Sequence, residues 1–266
     1  MPRITTSDGV SLNYVDEGSG PPVVLLAGFA APLETWELQR RALLGSGYRV
    51  IALDRRSHGG SDRPAYGQRM ARHGKDLRDV LDALALDGVV LIGGSMGGST
   101  IWAYHDLFGD HRLRAVVTID QTPKMVNDET WPYGFYGLDR MNVGTFFDDG
   151  IPDTGRGLRA DRMAGLGRVV EALGGRVPPF ADPRAPETRA LLQNHAEQDW
   201  RDVVARIEVP SLFIAGRQSQ FWPCEHATVS AGTTKLAHAV VVDDCGHAAN
   251  LDQPDLVNAA ILEFLR

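Results

Sequence analysis

An α/β architecture is predicted, with a mostly parallel sheet covered by helices on both faces and an inserted helical cap; three observations carry that prediction. Short apolar runs recur at 23–27, 48–53, 89–93, 113–119, 211–215 and 239–242, the continuous pattern of strands buried on both faces of a parallel sheet. Helical patterns separate the early runs and follow the last one, as crossovers between parallel strands require. Between about residues 121 and 207 the alternation breaks, and glycine, proline, aspartate and aromatic residues mix with short helical stretches. That segment is too long for a simple loop. It is read as an insertion, 122–206, dividing a core made of 1–121 and 207–266.

The chain opens with alternating runs at 4–6 and 12–15 around Asp8-Gly9, which read as a hairpin. Gly18-Ser19-Gly20-Pro21-Pro22 then leads into the first buried run. Ahead of the run at 89–93, Leu77, Val80, Leu81 and Leu84 share one helical face, with Lys75, Asp76, Arg78, Asp79 and Asp82 elsewhere. Residues 188–195 form a short helical stretch inside the insertion. After Pro254 the helical spacing returns with Val257, Ala260, Ile261 and Phe264.

The 266 residues suit two small domains or one large one with an insertion. Hydrophobic residues at 43% and charged residues at 23% support a sizeable core and exclude a mainly disordered chain. The net charge of -7, from 27 basic and 34 acidic residues, argues against nucleic acid as a partner. Cys224 and Cys245 make neither a disulfide framework nor a four-thiolate zinc site, and no histidine pair has ligand spacing, so no metal is expected. The N-terminal residues lack the apolar core of a signal peptide, and no run approaches the ~18 apolar residues of a membrane span. A cytoplasmic location and no membrane partner are expected.

Directly after the run at 89–93 stands Gly93-Gly94-Ser95-Met96-Gly97, followed by a helical pattern from 100 to 108. This is G-x-S-x-G in a strand-turn-helix setting, where the tight turn strains the serine backbone and demands small residues two before and two after. The helix that follows aims its first amides at any negative charge developing on a substrate carbonyl. A phosphate loop is excluded, since neither Gly-Lys-Ser/Thr nor G-x-G-x-x-G is present.

Three further stretches join this one. They are Ala27-Gly28-Phe29, then Asp54-Arg55-Arg56-Ser57-His58-Gly59-Gly60-Ser61, and Cys245-Gly246-His247 followed by Asn250, Gln253 and Pro254. Together with Ser95 they resemble the α/β-hydrolase superfamily over nearly the whole chain, although Ala27 replaces the usual histidine of the oxyanion loop. The resemblance implies the α/β-hydrolase fold, a cap in the position of the insertion, and an oxyanion hole made by the backbone amides of Phe29 and Met96.

A serine hydroxyl needs a base, and His247, on a glycine-flanked loop between the last strand and the last helix, is the candidate. His58 is its rival, but it matches the family's structural turn. For the acid, family members usually place an aspartate after the penultimate strand; here the turn reads Gly216-Arg217-Gln218-Ser219, with serine at that position. Asp120, closing the run at 113–119, takes the role in this reading, as the corresponding position does in some relatives, including lactonases. Glu225 is the alternative acid. Cys245 is read as an inert buried thiol.

In the insertion, Trp131, Tyr133, Phe135 and Tyr136, with Phe221 and Trp222 after the penultimate strand, are expected to form an aromatic wall above Ser95. Glycines at 134, 137, 144, 150, 155 and 157 are expected to let the cap move. The reading that follows is a cofactor-free serine hydrolase of a small apolar or aromatic ester or lactone. Carbon-carbon bond hydrolysis and perhydrolysis by the same triad remain alternatives, as does a non-catalytic binding protein that kept the fold. Haloalkane dehalogenase and epoxide hydrolase are disfavoured, because each would need aspartate in place of Ser95. Oligomeric state is left open.

Overall fold

The computed structural model describes residues 2–159 and 164–266; Met1 and residues 160–163 of the insertion lie outside the described residues. An eight-stranded sheet runs through it: β1 (Arg3–Thr5), β2 (Ser11–Glu17), β3 (Pro22–Leu26), β4 (Arg49–Leu53), β5 (Val89–Gly94), β6 (Leu113–Ile119), β7 (Ser211–Gly216) and β8 (Ala237–Val242). Their spatial order is β1-β2-β4-β3-β5-β6-β7-β8. The hairpin strands pair antiparallel, and β2 joins β4 antiparallel, while every pairing from β4 through β8 is parallel.

Helices cover both faces because each parallel strand presents apolar side chains alternately to either side. Val23 and Leu25 of β3 pack with Leu43, Val257 and Ile261. These come from α1 (Glu37–Gly45) and α9 (Pro254–Phe264), which flank a single turn at α8 (Ala249–Asp252). Val24 and Leu26 face the other way, against Leu77, Val80, Leu81 and Ile101, carried by α2 (Met70–Ala83) and α3 (Met96–Phe108). No helix among the described residues is long and apolar enough to cross a membrane.

The connection from β6 to β7 holds α4 (Gly165–Ala172), α5 (Pro186–Ala196) and α6 (Arg201–Ala205), all in its second half. Its first half is built of turns and isolated bridges, as its many glycines and prolines dictate. Those turns close on an aromatic core in which Phe135 meets Phe146, Phe147, Phe221 and Trp222 at 5.2–6.1 Å between ring centroids. Two of the glycines expected to loosen this region are close contacts instead. A Cβ on Gly134 would lie 2.3 Å from the Met125 carbonyl oxygen, and one on Gly157, at φ +76, 2.5 Å from that of Gln218. One more helix, α7 (Glu225–Ala231), follows β7.

Candidate active site

The parallel strands end along one edge, where the loops that follow β3, β5, β6, β7 and β8 converge. Ser95 occupies the turn between β5 and α3 with φ 51 and ψ -128, on the left-handed side that non-glycine residues avoid. Its own amide donates to the Ile119 carbonyl at 2.8 Å, and its carbonyl accepts the Gly98 amide at 2.8 Å. The small neighbours are obligatory. A Cβ on Gly93 would come within 2.4 Å of the Gly97 backbone, and one on Gly97 within 2.0 Å of the Leu26 carbonyl. Gly28 crosses above the turn, its missing Cβ only 3.2 Å from the Ser95 Cβ.

That crossing strand of chain is held from behind by Arg55. The buried guanidinium donates to the carbonyls of Ala27 at 3.1 Å and Gly28 at 2.7 Å. Because a trans peptide sets its N–H opposite its C=O, pinning the Gly28 carbonyl turns the Phe29 amide away from Arg55. Among the described residues no carboxylate pairs with Arg55; burial pushes its pKa down to about 9. Its remaining donors meet ring nitrogens, His73 Nδ1 at 3.2 Å and His58 Nε2 at 3.1 Å, while His58 Nδ1–H donates to the Arg56 carbonyl. Burial, and then the Arg55 charge, push both histidines well below their usual range. They therefore act as neutral acceptors. The Met96 amide is the first of α3 and has no acceptor within the helix.

His247 stands on the loop between β8 and α8. Its backbone amide donates to Gln220 Oε1 at 2.8 Å, and its ring packs against Phe221 at 4.3 Å and Trp222 at 5.2 Å between centroids. Nδ1–H donates to Asp120 Oδ2 at 2.7 Å, which leaves Nε2 as the proton acceptor. Asp120 is fully buried at the end of β6, itself in a left-handed conformation at φ 45. Burial alone would raise its pKa, but the facing rings of His226 and His247 outweigh that and hold it at about 2. Two further donors serve the same carboxylate: Ser219 Oγ–H at 2.7 Å to Oδ2 and the Gly216 amide at 3.0 Å to Oδ1. The serine at the usual acid position is thus a ligand of the aspartate on the neighbouring strand. Sequence alone shows neither Ser219 nor His226 in this role, since each meets Asp120 only through the β6–β7 pairing.

Glu225, the alternative acid, is exposed at the start of α7, its carboxylate 3.7 Å from Cys224 Sγ. Cys245 donates to the Val242 carbonyl, and burial drives its thiol up to about 12, so it holds no nucleophilic thiolate at neutral pH. Among the described residues no group of three or more His, Cys, Asp or Glu is placed to hold a metal ion.

Ser95 and His247 face one cavity of about 260 Å³, whose apolar walls come from Phe29, Trp36, Ile151, Phe180, Phe221 and Leu251. The expected aromatic wall needs correcting here. Of the six residues named for it, Phe221 lines the cavity and the other five do not. Phe135 and Trp222 are buried in the aromatic core, where rings satisfy one another. Trp131 Nε1–H is anchored on Thr122 and the Lys124 carbonyl, with Tyr133 edge-on to its ring. Tyr136 stacks under the Arg156 guanidinium at 4.7 Å. Trp36, Ile151, Phe180 and Leu251 were not marked by any motif, since membership of a wall depends on how remote loops meet.

The alpha/beta hydrolase fold profile matches residues 21–254. Over its full length the chain is 30% identical to a non-heme haloperoxidase of Rhodococcus erythropolis, 99% of which it covers. It superposes with a TM-score of 0.84 on a bromoperoxidase from Bacillus anthracis, at 27% identity and with 99% of each chain covered. On an esterase from Exiguobacterium antarcticum the TM-score is 0.80, at 25% identity, covering 99% of this chain and 98% of that one.

Proposed function

The chain belongs to the alpha/beta hydrolase fold family, and from that premise we propose that it is a serine hydrolase of small, neutral carboxylic esters or lactones, working through an acyl-enzyme. The observation that carries this reading is the shared cavity of Ser95 and His247, with His247 Nδ1 bonded at 2.7 Å to a buried, ionised Asp120. His247 Nε2 takes the Ser95 proton as Oγ attacks the substrate carbonyl. The amides of Phe29 and Met96 receive the oxyanion, each worth on the order of 10²–10³ in rate. Collapse expels the alcohol with the proton held by His247, and water reverses the sequence to release the acid. Asp120 keeps the imidazole in its tautomer and balances the imidazolium.

Substrate size and charge follow from the cavity. At about 260 Å³, with no Asp, Glu, Lys or Arg among its lining residues as far as the described residues go, it lies at the small end of ligand sites and favours compact uncharged acyl groups. The connection 122–206 serves as the cap, through Ile151 and Phe180. Perhydrolysis is a second reading, favoured by the haloperoxidase and bromoperoxidase relatives. In that case hydrogen peroxide replaces water on the acyl-enzyme and leaves as a peracid.

The test is kinetic. With p-nitrophenyl acetate, Ser95→Ala is expected to abolish turnover and stoichiometric labelling by a fluorophosphonate. Asp120→Asn is expected to lower kcat by about 10⁴, whereas Glu225→Gln leaves it within about twofold of the parent. Full activity in Ser95→Ala would remove the mechanism, and the reverse order of the two acid variants would move the triad acid to Glu225. Peracid formed from acetate ester and peroxide, measured beside hydrolysis, separates the two readings.

A further inference from the structure

The Asp120 carboxylate has three of its acceptor directions met by donors at 2.7–3.0 Å, from His247, Ser219 and Gly216. Its fourth side faces His226, whose Nε2 stands 3.7 Å from Oδ1. His226 belongs to α7 and is only 1% exposed, and neither of its ring nitrogens has a hydrogen-bond partner among the described residues. Trp222 stands edge-on to its ring at 6.1 Å, and Ala227, the next residue of α7, is buried in the same apolar cluster. An unpaired imidazole in such a place is costly, and a leucine of similar volume would avoid that cost. An ionised carboxylate with no access to water needs its lone pairs served, and among the described residues His226 is the further donor facing it.

We propose that His226 is a positioning residue for the triad acid, presenting Nε2–H to Asp120 Oδ1 while His247 works on Oδ2. The inference rests on Asp120 being the acid of the proposed hydrolase. At 3.7 Å the contact is electrostatic; a shift of under about 1 Å makes it a hydrogen bond. With Gly216 and His226 on one oxygen and Ser219 on the other, the carboxylate cannot rotate away when His247 swings toward Ser95 or becomes charged. His226 touches no substrate: it is absent from the lining of the catalytic cavity. Its removal therefore acts on turnover and leaves binding alone.

The experiment compares His226→Leu, which deletes the donor at similar volume, with His226→Gln, whose Nε2–H reaches the same place. Readouts are kcat and KM on p-nitrophenyl acetate, the rate of Ser95 labelling by a fluorophosphonate, and the melting temperature of each variant. Expected are a 10–100-fold fall of kcat in His226→Leu with KM within twofold, an equal fall in labelling rate, and recovery to within a few-fold of the parent in His226→Gln. Should the leucine variant not fold, His226→Asn, whose amide is too short to reach Oδ1, is expected to show the same loss. Parental kcat in His226→Leu or His226→Asn overturns the proposal, as does a glutamine variant as slow as either while melting like the parent. Asp120→Asn is the control. If it collapses turnover while the His226 variants do not, only this inference fails; if it leaves turnover intact, the triad reading falls and takes this inference with it.

Discussion

Ser219 and Asp120 reach one point from two strands. The Ser219 hydroxyl donates to the same oxygen, Oδ2, that accepts from His247, because the ends of β6 and β7 are parallel neighbours in the sheet. A carboxylate at position 219 is therefore expected to come within reach of the same imidazole. Asp120→Asn alone is expected to cost about 10⁴ in kcat. Asp120→Asn combined with Ser219→Asp is expected to regain roughly 10–100-fold of that loss, as a second carboxylate takes over the imidazolium. Steady-state kinetics of the two variants checks this, and a double variant no faster than the single one would mean that position 219 lacks the needed geometry. Ser95 and His247 stood out in the sequence because each lies in a glycine-marked turn after a strand-like run, which is local chemistry, whereas Asp120 as candidate acid came from the family resemblance, with Glu225 as the alternative. Ser219 as donor, His226 as neighbour and Arg55 as clamp of the Gly28 carbonyl were not legible there, because these roles exist only once remote strands are side by side.

At the scale of elements, the strands and the α2, α3 and α9 helices lie where apolar spacing put them, since burial on two faces leaves a continuous signal. The connection between β6 and β7 gave a weaker one. Aromatic content there showed that rings would cluster but not whether they would face a cavity or each other, and Phe135 and Trp222 face each other and their neighbours. Its glycines divide in the same way. Gly134 sits where a Cβ would strike the Met125 backbone, while Gly144 has nothing within 4 Å. Gly134→Ala is expected to destabilise the fold by about 1–3 kcal/mol, lowering the melting temperature by roughly 2–4 °C per kcal/mol. Gly144→Ala is expected to stay within about 0.5 kcal/mol of the parent. Thermal melts of the pair decide it: equal melting temperatures would mean that the turn at Gly134 relaxes freely and is no fixed contact.

Across the whole molecule, the net charge of -7 governs solubility, but the pH response of the fold is set by groups sealed inside it. His58, His73 and His195 are buried. Burial, reinforced by the Arg55 charge, drives the first two well below 6.5 and His195 to about 3. The unfolded chain thus binds protons at these sites as pH falls below 6.5 while the folded chain does not, so stability is full above that value and declines below it. At pH 5.5 protonation of the unfolded chain at all three sites therefore works against the fold. Asp120 works in a lower window: held at about 2 against 3.8, its contribution persists above 3.8 and fades only as pH falls from there through 2. Acid sensitivity is therefore expected to begin near pH 6.5, before any triad carboxylate is protonated. Urea unfolding is expected to show the parent less stable at pH 5.5 than at pH 7.5, with a smaller difference between the two pH values in His195→Asn. A parent equally stable at both values would mean that these rings take up protons inside the fold, and the neutral-acceptor role assigned to His58 and His73 beside Arg55 would fall with it.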